Sequence, residues 1–166
     1  MSDKKKSLSR SAQVVQEALV KKGLNFSVVE LSASTRTAED AAAAVGCEVA
    51  QIIKSLIFRT KNSQKPLLIL ASGINRVNEK AIEAELGEKL LKADADFTRE
   101  VTGFAIGGIP PVGHKQAIQT IIDEDLLKHQ ECWAAAGTPN AVFKLNSSDL
   151  VTLTGGKILS ITGKTS

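Results

Sequence analysis

The sequence is poor in every feature that would set it apart from ordinary globular proteins. Its 166 residues include 4 prolines, 2 cysteines and 12 glycines. Collagen-like, disordered and disulfide-scaffold readings are thereby excluded. No apolar run approaches the roughly 18–20 residues that a membrane-spanning helix needs. The opening stretch Met1-Ser-Asp-Lys-Lys-Lys-Ser7 lacks the apolar centre of a secretory signal. Also missing are G-x-x-x-x-G-K-[ST], G-x-G-x-x-G, H-E-x-x-H, paired-carboxylate and Ser-His-Asp patterns, so nucleotide-loop, Rossmann, zinc-protease and triad chemistries have no support. The expectation is a soluble, cytoplasmic chain with no cofactor, no metal and no membrane partner.

What remains is a composition of 43% hydrophobic and 23% charged residues, enough for one domain with a sizeable core. The net charge of +3 comes from one end. Residues 1–10 carry Lys4, Lys5, Lys6 and Arg10 against Asp3, and the rest of the chain holds 17 basic and 17 acidic residues. Residues 1–7 therefore read as a basic arm, either a solvated end or a source of sequence-independent phosphate contacts. Residues 8–166 read as a single domain, since no linker or repeat interrupts them. Cys47 and Cys132 stand 85 positions apart with no metal or redox spacing, and are expected to be reduced, buried thiols.

Periodicity predicts helices over Ser9–Lys22, Thr37–Gly46 and Asn78–Leu86, and a short helix or turn at Phe97–Val101. Thr37-Ala-Glu-Asp40 resembles a capping box. Strands are predicted over Phe26–Leu31, Ile52–Phe58, Pro66–Ala71, Ala117–Ile122, Cys132–Ala136 and Ala141–Leu145, with a helix cap at Asn146–Asp149. Their irregular interleaving points to an α+β fold, a mixed sheet with helices packed around it.

Two features are chemically unusual. In an Ile52–Phe58 strand Lys54 shares a face with Ile52, Leu56 and Phe58, while Ile53 and Ile57 make the other face apolar too. The lysine must snorkel, sit at a sheet end, or point into a cavity where it could hold a phosphate or carboxyl oxygen. The second feature is Gly103-Phe-Ala-Ile-Gly-Gly-Ile-Pro-Pro-Val-Gly-His114. Four glycines and two prolines in twelve positions forbid a regular helix or a central strand. It is either a rigid turn packed on the core or a wall whose peptide N–H groups approach a ligand. His114 abuts this loop, whereas His129 lies in a polar stretch.

Thr37-Ala-Glu-Asp-Ala-Ala-Ala43, Ile53-Lys-Ser-Leu-Ile57, Leu70-Ala-Ser-Gly73 and Thr102-Gly-Phe-Ala-Ile-Gly-Gly-Ile-Pro-Pro-Val-Gly113 occur in that order, followed by Ile122-Asp123, Ala136-Gly137 and Ser148-Asp-Leu150. Together they resemble the YbaK/EbsC family, relatives of the editing domain of bacterial prolyl-tRNA synthetases. Gly107-x-x-x-Pro111 fits the family's G-x-x-x-P element and Lys54 its lysine. The resemblance implies a mixed, mostly antiparallel sheet surrounded by helices. It also implies trans-editing, the hydrolysis of the ester joining a wrong amino acid to tRNA. Synthetases need this because an apolar pocket separates similar small side chains by only about 1–3 kcal/mol.

By the same resemblance, Lys54, Gly107, Gly108, Ile109, Pro110 and Pro111 are expected to be catalytic. Thr37, Ser72, Gly73, Val112, Gly113, His114, Ala136, Gly137 and Thr138 are expected to bind substrate. In the family scheme the loop presents peptide N–H groups to the ester, the lysine holds the terminal nucleotide or the substrate, and a ribose hydroxyl assists the water. Partners would be a mischarged tRNA, most simply proline tRNA carrying a small wrong amino acid, and prolyl-tRNA synthetase or another synthetase. The protein itself would be a monomer or weak homo-oligomer. Members that remove cysteine tend to carry serine and then glutamine where this chain has Pro110 and His114, which leaves alanine, cysteine, serine, threonine and non-protein amino acids open. A non-catalytic module that binds aminoacyl-tRNA, a nucleotide or a protein is the competing class.

Overall fold

The structure is a computed structural model that describes residues 8–163. The basic arm over 1–7 lies outside the described residues. Five α-helices and eight strands run in the order α1 (Arg10–Lys21), β1 (Val28–Glu30), α2 (Ala38–Val45), β2 (Ile52–Thr60), β3 (Pro66–Ser72), α3 (Glu79–Leu86), β4 (Leu90–Lys92), α4 (Ala95–Thr102), β5 (Gln119–Asp123), β6 (Glu131–Ala135), β7 (Ala141–Asn146), α5 (Leu150–Thr154) and β8 (Lys157–Leu159) among these residues. Single turns of 3-10 helix occupy Val49–Gln51, Glu124–Lys128 and Ser147–Asp149.

Helices α1 to α4 start where short polar side chains can satisfy the free N–H groups of the first turn. Ser9 Oγ accepts from Ala12 N–H at 3.3 Å, Thr37 Oγ1 from Asp40 N–H at 3.0 Å, Asn78 Oδ1 from Ala81 N–H at 3.2 Å and Asp94 Oδ1 from Phe97 N–H at 2.8 Å. Each helix then buries one stripe. In α1 the stripe is Ala12, Val15 and Leu19, all fully buried, at the i, i+3, i+7 positions of one face.

One sheet holds the strands in the order β1-β7-β6-β2-β3-β5-β8, with β4 pairing to β2. Four pairings are antiparallel (β1·β7, β2·β3, β2·β4, β6·β7) and three parallel (β2·β6, β3·β5, β5·β8), so the sheet is mixed and mostly antiparallel. Strand alternation divides the core. On β3, Leu68 and Leu70 join Val15, Leu19, Ile109 and Phe143 on one face, while Leu67, Ile69 and Ala71 join Phe58, Ile82 and Ile121 on the other. Because both faces are covered, β3 reads as a continuous apolar run. Each such leucine contributes about 1.5–3 kcal/mol by leaving water.

The predicted elements correspond to observed ones with shifted ends: the first strand is shortened to Val28–Glu30 and the Phe97–Val101 segment is a full helix, α4. Strands β4 and β8 were not expected. Cys132 is buried, but Cys47 is only half-buried, and both thiols are free. No helix among the described residues is long and apolar enough to cross a membrane.

Candidate active site

Strand β2 changes partners along its length. It pairs with β6 only at Ile52 and Ile53 and with β4 only at Phe58–Thr60. Among the described residues Lys54 to Ile57 are thus left with no neighbouring strand on that edge, and these four residues are half-buried in a strand otherwise largely inaccessible. A cavity of about 770 Å³ lies along this stretch. Its wall comes from five places: Thr35–Glu39 at the start of α2, Val49 and Ile52–Leu56, the turn Gly73–Arg76 after β3, Ile106, Gly107 and Ile109 of the glycine-proline loop, and Ala135 at the end of β6.

Lys54 reaches this cavity because its face of β2 passes from the cluster around Phe58 and Leu56 to the small cluster of Ile52 with Ala41 and Ala42 of α2. It stands between these two packed groups. Its Nζ donates to the backbone carbonyl of Asn75 at 2.6 Å. Partial burial pushes the amine below the usual lysine range, Glu39 and Asp123 oppose that shift, and Arg76 adds to it. Arg36, Lys54 and Arg76 against Glu39 leave the cavity wall with an excess of positive charge.

The loop faces the lysine from the other wall. Gly107 takes φ +100°, a conformation that side-chain-bearing residues rarely adopt, and this turns Gly107 and Ile109 to the cavity. Gly108 N–H donates to Ala105 O at 3.1 Å, while its carbonyl accepts from Gly137 N–H at 2.8 Å. Phe104, Ile109 and Val112 anchor the loop in the core, and Ile106 is left 59% exposed at the rim.

Of the residues singled out from sequence, Thr37, Lys54, Gly73, Gly107 and Ile109 meet around this one cavity. Gly108 turns away from the cavity to pack on Gly137 and Thr138, which with Ala136 lie behind the loop, and it is Ala135 that reaches the cavity. Ser72 is fully buried with its hydroxyl donating to Ala50 O at 2.8 Å. Pro110 is buried in the loop, and Pro111, Val112, Gly113 and His114 line a separate hollow of about 370 Å³ with Lys22 and Leu153. There a His114 ring nitrogen, Nε2, lies 2.7 Å from Pro110 O, and burial lowers the imidazole's pKa. The neutral imidazole can donate to that carbonyl.

Arg36, Glu39, Asn75 and Arg76 line the cavity although sequence reading did not single them out. Each sits beside a residue that it did: Arg36 and Glu39 flank Thr37, and Asn75 and Arg76 follow Gly73. The thiol of Cys132 is pushed up to about 11 by burial, which leaves no thiolate near neutral pH. Among the described residues no group of three or more His, Cys, Asp or Glu is placed to hold a metal ion. The arrangement puts a half-buried cation, two arginines and a glycine-containing loop around one cavity, and this suits an anionic or ester-bearing ligand.

Comparison with known proteins agrees with this chemistry. A solved structure described as a candidate trans-editing enzyme for prolyl tRNA synthetase superposes with a TM-score of 0.90 at 46% identity, covering 95% of this chain and 100% of that one. The proline–tRNA ligase of Limosilactobacillus fermentum (strain NBRC 3956 / LMG 18251) is 34% identical over 54% of this chain, which spans 16% of that enzyme. EbsC of Enterococcus faecalis (strain ATCC 700802 / V583), a candidate Cys-tRNA(Pro)/Cys-tRNA(Cys) deacylase, is 26% identical over 77% of this chain and 78% of its own. Residues 32–153, which carry the whole cavity wall, match the aminoacyl-tRNA editing domain, and the chain belongs to that family.

Proposed function

We infer that the protein is an aminoacyl-tRNA deacylase acting in trans, in the cytoplasm, on proline tRNA that carries a small wrong amino acid. The observation that carries this reading is the meeting of Lys54, Gly107 and Ile109 around one cavity of about 770 Å³. That volume is within the usual range of a small-ligand site and accommodates a terminal aminoacyl-adenosine.

In this mechanism Lys54, with Arg36 and Arg76 at the same wall, holds the phosphate and ribose end of the tRNA. The ester carbonyl lies against Gly107 and Ile109. Water adds to the carbonyl carbon, and the negative charge that develops on oxygen is met by loop N–H groups. The ester C–O bond then breaks, releasing the free amino acid and a tRNA whose ribose oxygen takes up the proton. The neighbouring ribose hydroxyl assists the water, because no histidine or carboxylate among the described residues forms a base–orienter pair at the cavity. Thr37 and Gly73 shape the walls, while Ala136, Gly137 and Thr138 support the loop from behind at Gly108. Prolyl-tRNA synthetase is the partner that supplies mischarged tRNA, since residues 11–166 carry little net charge for holding RNA alone.

The test is deacylation of alanyl-, cysteinyl-, seryl- and threonyl-tRNA(Pro) against spontaneous hydrolysis. Acceleration of at least one supports the reading. Binding of these tRNAs without turnover favours a non-catalytic module instead.

A further inference from the structure

Among the described residues no carboxylate stands within ion-pair distance of Lys54. Its ammonium is aimed instead by the carbonyl of Asn75, 2.6 Å away. A lysine on a flexible four-carbon stem is directed only as well as the acceptor that holds it. That acceptor belongs to the turn after β3, and the turn is tied down from the neighbouring strand β5. Asp123, at the end of β5 and 1% exposed, accepts through Oδ2 from Ser72 N–H at 2.9 Å and from Asn75 Nδ2 at 2.8 Å. Asn75 Nδ2 also donates to Asp125 Oδ2 at 2.8 Å, and Lys128 holds Asp125 at 2.9 Å from outside. Parallel pairing of Leu70 with Ile122 is what brings Asp123 beside Ser72.

A buried carboxylate needs partners in any protein. Part of this one has a local explanation: Oδ1 accepts from Asp125 N–H at 2.9 Å and caps the 3-10 turn Glu124–Lys128. The two bonds to Oδ2 are not required by that cap. Both converge on the turn that carries the lysine's acceptor.

We propose that Asp123 and Asn75 are positioning residues that fix the Asn75 carbonyl and through it aim the Lys54 ammonium into the cavity. This rests on the reading above that Lys54 contacts substrate. The Asp123 charge acts in the same direction, since it favours the charged form of Lys54 against the effect of burial. Asn75→Ala keeps the backbone carbonyl and removes both side-chain ties. Losing a tie to a charged group costs on the order of tenfold or more.

The experiment is a double-mutant cycle on Lys54→Ala and Asn75→Ala, using the tRNA that the parent hydrolyses fastest among alanyl-, cysteinyl-, seryl- and threonyl-tRNA(Pro). Single-turnover rate and melting temperature are measured for all four proteins. Expected is a loss of about tenfold in rate for Asn75→Ala, with a lowered melting temperature that leaves it folded at the assay temperature, and no further rate loss when it is added to Lys54→Ala. Binding of uncharged tRNA(Pro) by the same four proteins gives the coupling if Lys54→Ala is too slow to time. Lys128→Ala, which breaks only the outer ion pair, should retain the parent rate. Equal losses from Asn75→Ala with and without Lys54 overturn the proposal, as does a parent-like Asn75→Ala. A fully active Lys54→Ala instead removes the reading of Lys54 on which it rests.

Discussion

Gly137 donates its N–H to the carbonyl of Gly108 at 2.8 Å, and neither glycine has room for a side chain, Gly108 because of Gly137 and Thr138, Gly137 because of Ser11 in α1. A Cβ on Gly108 would stand 2.8 Å from the Cα and N of Thr138 and 2.9 Å from the carbonyl carbon of Gly137. These are backbone atoms and cannot swing aside. The loop that faces Lys54 is therefore held from behind by direct main-chain contact.

Gly108→Ala is expected to displace the loop, to cost about 1–3 kcal/mol of stability and to lower deacylation by more than tenfold. Gly23→Ala is the comparison. Gly23 has φ +74° with nothing within 4 Å of the added carbon, so about 1–2 kcal/mol of backbone strain is expected with deacylation unchanged. Melting temperature and single-turnover rate of both variants check the pair. Full activity in Gly108→Ala would show that loop placement does not matter.

His114 is expected to make the fold sensitive to mild acid. Burial holds its folded pKa below the ordinary value of about 6.5. Above that value both folded and unfolded chains carry a neutral ring, and stability is fully present. Below it the unfolded chain takes up the proton first, so stability falls as pH drops. The carboxylates of Asp125 and Glu88, whose pKa values are lowered, act only at lower pH. Between pH 7.5 and 5.5 the parent's melting temperature should fall more than that of His114→Gln. Equal falls would remove His114 as the cause.

Removing residues 1–6 deletes Lys4, Lys5 and Lys6. Affinity for tRNA is expected to weaken at low salt, and the log–log salt slope to become shallower by about two to three. The rate at saturating protein should stay the same, because the cavity wall begins at Thr35. Titrations at several salt concentrations test this, and an unchanged slope would mean the lysines do not touch RNA.

Strong local signals made most of the framework legible. Ser9, Thr37 and Asn78 announce helix starts, and Pro66–Ser72 announces a strand covered on both faces, because capping and burial act through neighbouring residues. Strands β4 and β8 gave no signal. Each is three residues long and mostly exposed, so nothing in Leu90–Lys92 or Lys157–Leu159 alternates far enough to be seen. The loop was legible as irregular, but not the division of its length. Ile106, Gly107 and Ile109 face one cavity and Pro111–His114 another, and only the packing of Phe104, Pro110 and Val112 decides where the chain turns over. The turn that holds Lys54 was equally hidden, since Asn75 and Asp123 lie far apart in sequence and meet through the β3·β5 pairing.

The division of the loop supplies the most direct test, because it places Lys54 and His114 in different hollows that share no lining residue. Single-turnover deacylation of the best mischarged tRNA(Pro) is measured side by side for the parent, Lys54→Ala and His114→Gln, with melting temperatures to confirm that each is folded. Lys54→Ala is expected to lose most of the rate and His114→Gln to retain most of it. Full activity in Lys54→Ala together with a lost rate in folded His114→Gln would contradict the account and move the chemistry to the histidine.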